Sequence, residues 1–209
     1  RSPAELLWVP EDSAWKSLRG SLLNLSYGYG KIYVVPHEKV DGQVQGGMCQ
    51  LPFEKLPTGV MRGRFHSGDG QLYACGMFAW AGSQQQPGGF YRVRATGKPA
   101  YAPVGLETAP RQVRVSFSEP LDRESTEKTG NWEIEAWDLK RTRNYGSRHY
   151  NQRRWQVTGV ALSDDGRVVT LEVPDLMPTW GMSIRCKTRG VGGAEVVREI
   201  HNSVHNIGK

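Results

Sequence analysis

A chain of 209 residues with 38% hydrophobic side chains, 25 glycines and 12 prolines is sized for one large or two small domains, and its turn content predicts an all-β protein. No stretch approaches the ~18 apolar residues of a membrane-spanning helix, and the three cysteines form neither a CxxC pair nor a CxxCH haem-attachment motif. The net charge of +6 and pI of about 9.3 read first as a solvated basic surface and second as a site for an anionic partner.

Residues 1–20 carry Trp8 and Trp15 among prolines and charges, an irregular lead-in with one short strand around Leu6 to Val9. No Met and no apolar leader precede them, so a processed chain or a piece of a longer one is expected. SLLNLSYG, KIYVVPHE and QVQGGMCQLP come next, separated by the turns Tyr29-Gly30 and Asp41-Gly42, and read as a three-strand meander. Pro36 marks an edge or a bulge in its second strand.

The stretch VMRGRFHSGDGQLYACGMFAW from Val60 to Trp80 predicts a hairpin closed by Ser67-Gly68-Asp69-Gly70. Arg62, Arg64 and His66 share one face of its first strand. Both faces of the second strand, through Tyr73, Cys75 and Met77 and through Leu72, Ala74 and Gly76, are apolar or small, which predicts cover on both sides. AGSQQQPGG loops to a further strand, FYRVRAT. Gly20–Pro52 and Gly59–Thr96 are thus two similar three-strand units, a weak repeat that suggests propeller blades. Two blades cannot close a ring of ~4–8, so this reading requires further blades upstream.

Two prolines in Gly97-Lys98-Pro99-Ala100-Tyr101-Ala102-Pro103 mark a linker. Beyond it the alternation is cleaner. Val113, Val115 and Phe117; Trp132, Ile134 and Ala136; Val169, Leu171 and Val173; and Met182, Ile184 and Cys186 each line one face of a strand, and Asp164-Asp165-Gly166 closes a hairpin. Five or six such strands suit an antiparallel immunoglobulin-like sandwich, without the Cys…Trp…Cys spacing of antibody domains. EPLDRESTEK is read as a loop, although one helical turn would fit. The expected organisation is therefore partial β-propeller-like antiparallel meanders over 1–97, a linker over 98–107, an Ig-like β-sandwich over 108–203 and a tail over 204–209. Cys75 and Cys186 are expected to be buried free thiols, while a Cys49–Cys75 bridge in an oxidising compartment stays open.

VSFSEPLDRESTEKTGNWEIEAW and LSDDGRVVTLEVPDL resemble bacterial Ig-like modules with an FSEPLD-type strand and a later DG hairpin. SLLNLSYGYGKIYVV, VDGQVQGG, LPTGVMRGRFHSGDGQLYACGMFAWAG and GGFYRVR are similar to the last blades of a secreted propeller, and LKRTRNYGSRHY, PDLMPTWGMSIR and IHNSVHNIG to the region C-terminal to such a propeller. The combination resembles the large secreted proteins of planctomycete and verrucomicrobial type, described as membrane-bound dehydrogenase-like or haem-binding, whose propeller is similar to those of sugar dehydrogenases. The resemblance implies a secreted or periplasmic location and a role in a carbohydrate-acting redox protein. It implies no cofactor in this chain, with haem or a quinone carried elsewhere in the parent, and it transfers no catalytic residue.

Four groups of residues are candidate sites. The loop KRTRNYGSRHYNQRR holds Arg141, Arg143, Tyr145, Arg148, His149, Tyr150, Arg153 and Arg154. Guanidinium forks beside aromatic rings suit carboxylate, sulfate, phosphate or sugar. Packing against a neighbouring domain is preferred, because the same residue types build interfaces. His201 and His205 have metal-binding i, i+4 spacing only on a helix, and a polar terminal strand or tail is preferred. Asp41, Gln43 and Gln45 with Arg62, Arg64 and His66 would line a propeller channel or an interblade site, the plainer alternative being a solvated or interblade hydrogen-bonding face. Trp80 with Gln84-Gln85-Gln86 has the composition of a sugar-contacting loop, with an ordinary exposed loop preferred.

No nucleophile elbow, phosphate-cradling loop, dinucleotide fingerprint or zinc-finger spacing is present. The function read from the sequence is a non-catalytic structural or interaction segment whose partners are the remaining propeller blades and other domains of the parent. The alternatives are a wall of a sugar dehydrogenase site, and a basic module for anionic polysaccharide or, ranked behind it, nucleic acid.

Overall fold

The structure, a computed structural model, describes residues 2–80 and 85–208. It is all-β and antiparallel, and among the described residues no sheet closes on itself. The strands are β1 (Pro3–Trp8), β2 (Leu22–Ser26), β3 (Lys31–Val34), β4 (His37–Val40), β5 (Gln43–Gln50), β6 (Gly59–Phe65), β7 (Leu72–Met77), β8 (Gly88–Val93), β9 (Pro103–Ala109), β10 (Gln112–Phe117), β11 (Trp132–Asp138), β12 (Tyr150–Trp155), β13 (Gly159–Leu162), β14 (Val168–Glu172), β15 (Thr179–Arg189) and β16 (Glu195–Val204), with one helical turn α1 (Arg123–Thr126). Two compact units result: Arg1–Val35 with Gln50–Ala102, and Pro36–Cys49 with Pro103–Lys209.

In the first unit, the ladder β1-β2-β3 lies over the ladder β6-β7-β8. Leu23, Leu25, Ile32, Val34, Val60, Leu72 and Ala74 are fully buried between them. A register shift between Val60 and Arg62 makes a bulge at Met61, so Val60 and Gly63 both face inward. Glu5 of β1 reaches across to β6, accepting from the Gly63 amide at 2.8 Å and from the Arg64 guanidinium at 2.7 Å. Trp15 meets Phe65 edge-on, ring centroids 5.4 Å apart. The prediction that β7 is covered on both faces is corrected. Leu72 and Ala74 are buried, but Cys75 and Met77 on the other face are exposed. That face shares its surface with Arg62, Arg64 and Arg92, whose desolvation would be costly.

The second unit pairs β4-β5-β16-β15-β11-β12 in one sheet and β13-β14-β10-β9 in the other, a β-sandwich-like arrangement. The inward sets predicted from alternation are the ones buried: Val113, Val115 and Phe117 from β10, Ile134 and Ala136 from β11, Val169 and Leu171 from β14, and Met182, Ile184 and Cys186 from β15. Phe117 and Trp132 meet edge-to-face between the sheets at 6.4 Å.

The departures from the sequence reading have physical reasons. KIYVVPHE is two strands, because Pro36 has no amide for the ladder; its carbonyl instead accepts from Gly47 at 2.9 Å. The β4–β5 hairpin, closed at Asp41-Gly42 with φ of 48° and 85°, belongs to the second unit and not to a meander of the first. Residues 98–107, read as linker, include most of β9, with Ala102 and Leu106 buried. α1 forms where a loop was expected, because Asp122 caps it by accepting from the Ser125 amide at 2.9 Å. Residues 205 and 206, read as tail, are tied down by their backbone amides, which donate to the Gln45 side-chain oxygen.

Candidate functional site

Antiparallel pairing of β6, β7 and β8 stacks their outward side chains in rows. Arg64 lies opposite Tyr73, which lies opposite Arg92; Arg62 lies opposite Cys75, which lies opposite Phe90. The hairpin turn fixes the end of these rows. Gly70 has φ +64°, and a Cβ on it would strike the Ala14 backbone. Its carbonyl accepts from the Ala14 amide and the Ser13 hydroxyl, both at 2.9 Å. Gly70 therefore meets both demands that only glycine satisfies here.

Tyr73 is the hub of the face. Its phenol donates to Asp69 Oδ2 at 2.9 Å, and Arg92 pairs with the same oxygen at 2.8 Å. His66 and Phe90 tilt against its ring at 5.6 and 5.9 Å, and the Arg92 guanidinium lies 5.9 Å from its centroid. The Gln71 amide, then the Tyr73 hydroxyl and Arg92, hold the Asp69 carboxyl below its usual range despite some desolvation. The hydrogen bond to Asp69 raises Tyr73 in turn. Burial pushes Glu5 upward, but the Arg64 and Gly63 hydrogen bonds outweigh it and leave the carboxyl lowered. Both acids are thus ionised and already engaged. Arg62 donates to the carbonyls of Ala4 and Met61. Phe90 is 73% exposed. Arg62, Arg64, His66, Tyr73, Cys75 and Phe90 line an open trough of about 760 Å³.

The predicted basic loop is divided. Tyr150, Arg153 and Arg154 belong to β12: Arg154 pairs with Glu133 at 2.6 Å, Arg153 with Asp138 at 3.2 Å, and Lys140 sits 4.5 Å from the Tyr150 ring. His149 stacks on Trp137, centroids 4.0 Å apart and planes 10° from parallel. Arg141, Arg143, Tyr145 and Arg148 stand exposed on the remaining loop, Tyr145 completely so.

Asp41, Gln43 and Gln45 fall in the second unit and Arg62, Arg64 and His66 in the first. Gln45 is buried in a polar hub with Glu38, Thr108 and Asn206. His201 meets the edge of Trp137 and His205 that of Trp180. Among the described residues, no group of three or more His, Cys, Asp or Glu is placed to hold a metal. Cys49, Cys75 and Cys186 form no disulfide among the described residues, and Cys75, predicted buried, is exposed. Trp80 is exposed and the Gln85 amide donates to the Pro57 carbonyl at 3.1 Å, while Gln84 lies outside the described residues.

Sequence reasoning placed Arg62, Arg64 and His66 on one face but missed Asp69, Tyr73, Phe90 and Arg92. The signal was the alternation of FYRVR, which puts Phe90 and Arg92 on one side once β8 is paired with β7. Fold and site together define an antiparallel, sandwich-like all-β protein with a basic, aromatic sheet face. No protein-family model, curated protein or solved structure matches the chain.

Proposed function

We propose that the chain is a non-catalytic interaction segment that holds an anionic partner on the outer face of β6, β7 and β8. The observation that carries this reading is the cation surplus of that face: Arg62, Arg64 and Arg92 surround Tyr73 and Phe90, while Glu5 and Asp69 are engaged from within. Arginine beside an open aromatic ring is suited to recognising planar anions. The resemblance adds a setting: a larger secreted, carbohydrate-acting redox protein in which the first unit is the end of a propeller and the second an Ig-like sandwich. The alternating core of the second unit supports the latter. Haem or quinone would belong to other parts of such a parent.

The experiment is retention of the protein on a heparin column in a salt gradient. Arg62→Gln/Arg64→Gln/Arg92→Gln should elute at clearly lower salt, whereas Arg141→Ala/Arg143→Ala/Arg148→Ala should move little. Equal elution of the first variant and the parent would remove this face from the reading. A second reading, a wall of a sugar dehydrogenase site, draws on the shared trough of Arg62, Arg64 and His66. It requires dye-linked sugar oxidation that disappears in His66→Ala.

A further inference from the structure

Resting on that interaction reading, we propose that the ligand of the β6–β8 face is an acidic polysaccharide of the uronic-acid type, lying across the three strands with carboxylates on the arginines and one sugar ring against Phe90. Three features of the face select this chemistry.

The first is spacing. Neighbouring strands lie about 4.8 Å apart, so the Arg64–Tyr73–Arg92 row sets its two arginine positions roughly 10 Å apart. Arg62 lies in the adjacent row on β6. Arg62 and Arg64 line the open trough and Arg92 stands two strands away, so the cations are spread across the face and not gathered round one point. That pattern fits a polymer with repeated charges and does not fit a single small anion.

The second is the state of each aromatic ring. Tyr73 is hemmed in by His66, Phe90 and Arg92, and its hydroxyl is tied to Asp69. Phe90 is the open platform. Single-stranded nucleic acids bind sheets by stacking successive bases on successive free rings, and among the described residues of β6, β7 and β8 only Phe90 is such a ring. A sugar ring needs one apolar surface for its C–H face and donors around its rim.

The third is the donors. Glu5 braces Arg64 and Asp69 braces Arg92 from below, while Arg62 is held by two backbone carbonyls. A braced guanidinium presents its remaining N–H groups as a fork that matches a carboxylate. A close-packed protein partner would have to desolvate all three charges at once, whereas a hydrated sugar chain leaves their outer sides in water.

The test is calorimetric titration of the whole protein with polygalacturonate, its carboxyl-reduced neutral counterpart, inorganic polyphosphate and oligo(dT). Polygalacturonate should bind, and both the Arg62→Gln/Arg64→Gln/Arg92→Gln variant and Phe90→Ala should weaken it about tenfold or more. Phe90 projects into solvent, so its replacement leaves the fold intact, which circular dichroism verifies. Polyphosphate binding should be insensitive to Phe90→Ala, and the reduced polymer should not bind. Polyphosphate or oligo(dT) binding as tight as polygalacturonate, or indifference of polygalacturonate to Phe90→Ala, overturns the uronate assignment and leaves a general polyanion face standing. Failure of every polyanion to bind overturns both.

Discussion

Replacing Gln45 by leucine should unlatch the β4–β5 hairpin from the second unit. Gln45 is 5% exposed. Its amide nitrogen donates to Glu38 Oε1 at 2.7 Å, to the Asn206 carbonyl at 2.7 Å and to Thr108 Oγ1 at 3.3 Å. Its oxygen accepts from the His205 and Asn206 amides at 2.8 and 2.9 Å. Glu38 would not be abandoned in the variant, because the Thr108 amide and hydroxyl still donate to it at 3.0 and 2.7 Å. The groups left short are the two half-buried amides and the Asn206 carbonyl. At about 1 kcal/mol each for such losses, the cost is about 3 kcal/mol. For a unit of about 120 residues that corresponds to a fall in Tm of roughly 12 °C. Calorimetry measures the shift, and amide exchange should show lost protection over 37–49. Gln43→Leu is the control, since exposed Gln43 has a 3.4 Å contact from Asn206 Nδ2 and should cost under about 1 kcal/mol. A Gln45→Leu shift no larger than that of Gln43→Leu would refute the latch.

Single contacts set the other expected outcomes. Gly47→Ala would drive a Cβ into the His201 carbonyl and the Asn202 side chain and should break the β5–β16 pairing, seen as loss of several kcal/mol in denaturant melts. Both amide atoms of Asn202 are buried without a partner among the described residues, so Asn202→Leu should raise stability by about 1 kcal/mol; a loss in the same melts would contradict the side chain's isolation. Ellman's reagent should label one thiol in the native protein, exposed Cys75, and three in denaturant, because burial pushes Cys49 up to about 12 and Cys186 up to about 11. Asp69, whose pKa is lowered in the fold, contributes stability above its unfolded value and loses it as pH falls through the lower folded one. Asp69→Asn should therefore flatten the acid limb of the stability curve below about pH 4.

What the sequence made legible was local. Alternation is written into each strand, so the inward faces of β10, β11, β14 and β15 could be named before any pairing was known. The destination of the β4–β5 hairpin was not legible, because the residues that decide it are far apart: Gln45 binds Thr108 across 63 positions and Asn206 across 161. Nothing near Gln45 marks it as a hub residue, and Gly46-Gly47, read as part of a strand, gives no sign of the Pro36 and His201 carbonyls that approach it. The outer face of β7 failed for a different reason. Tyr73, Cys75 and Met77 look like core residues by type, and pattern alone assigns such residues to the interior. Their neighbours come from other strands: Arg64 and Arg92 flank Tyr73, and Arg62 flanks Cys75. Those cations keep the row in water whatever its own hydrophobicity, since covering it would strip them of solvent. An apolar row left uncovered among braced arginines is what suits this face to a charged sugar polymer, and it exists only at the level of strand pairing.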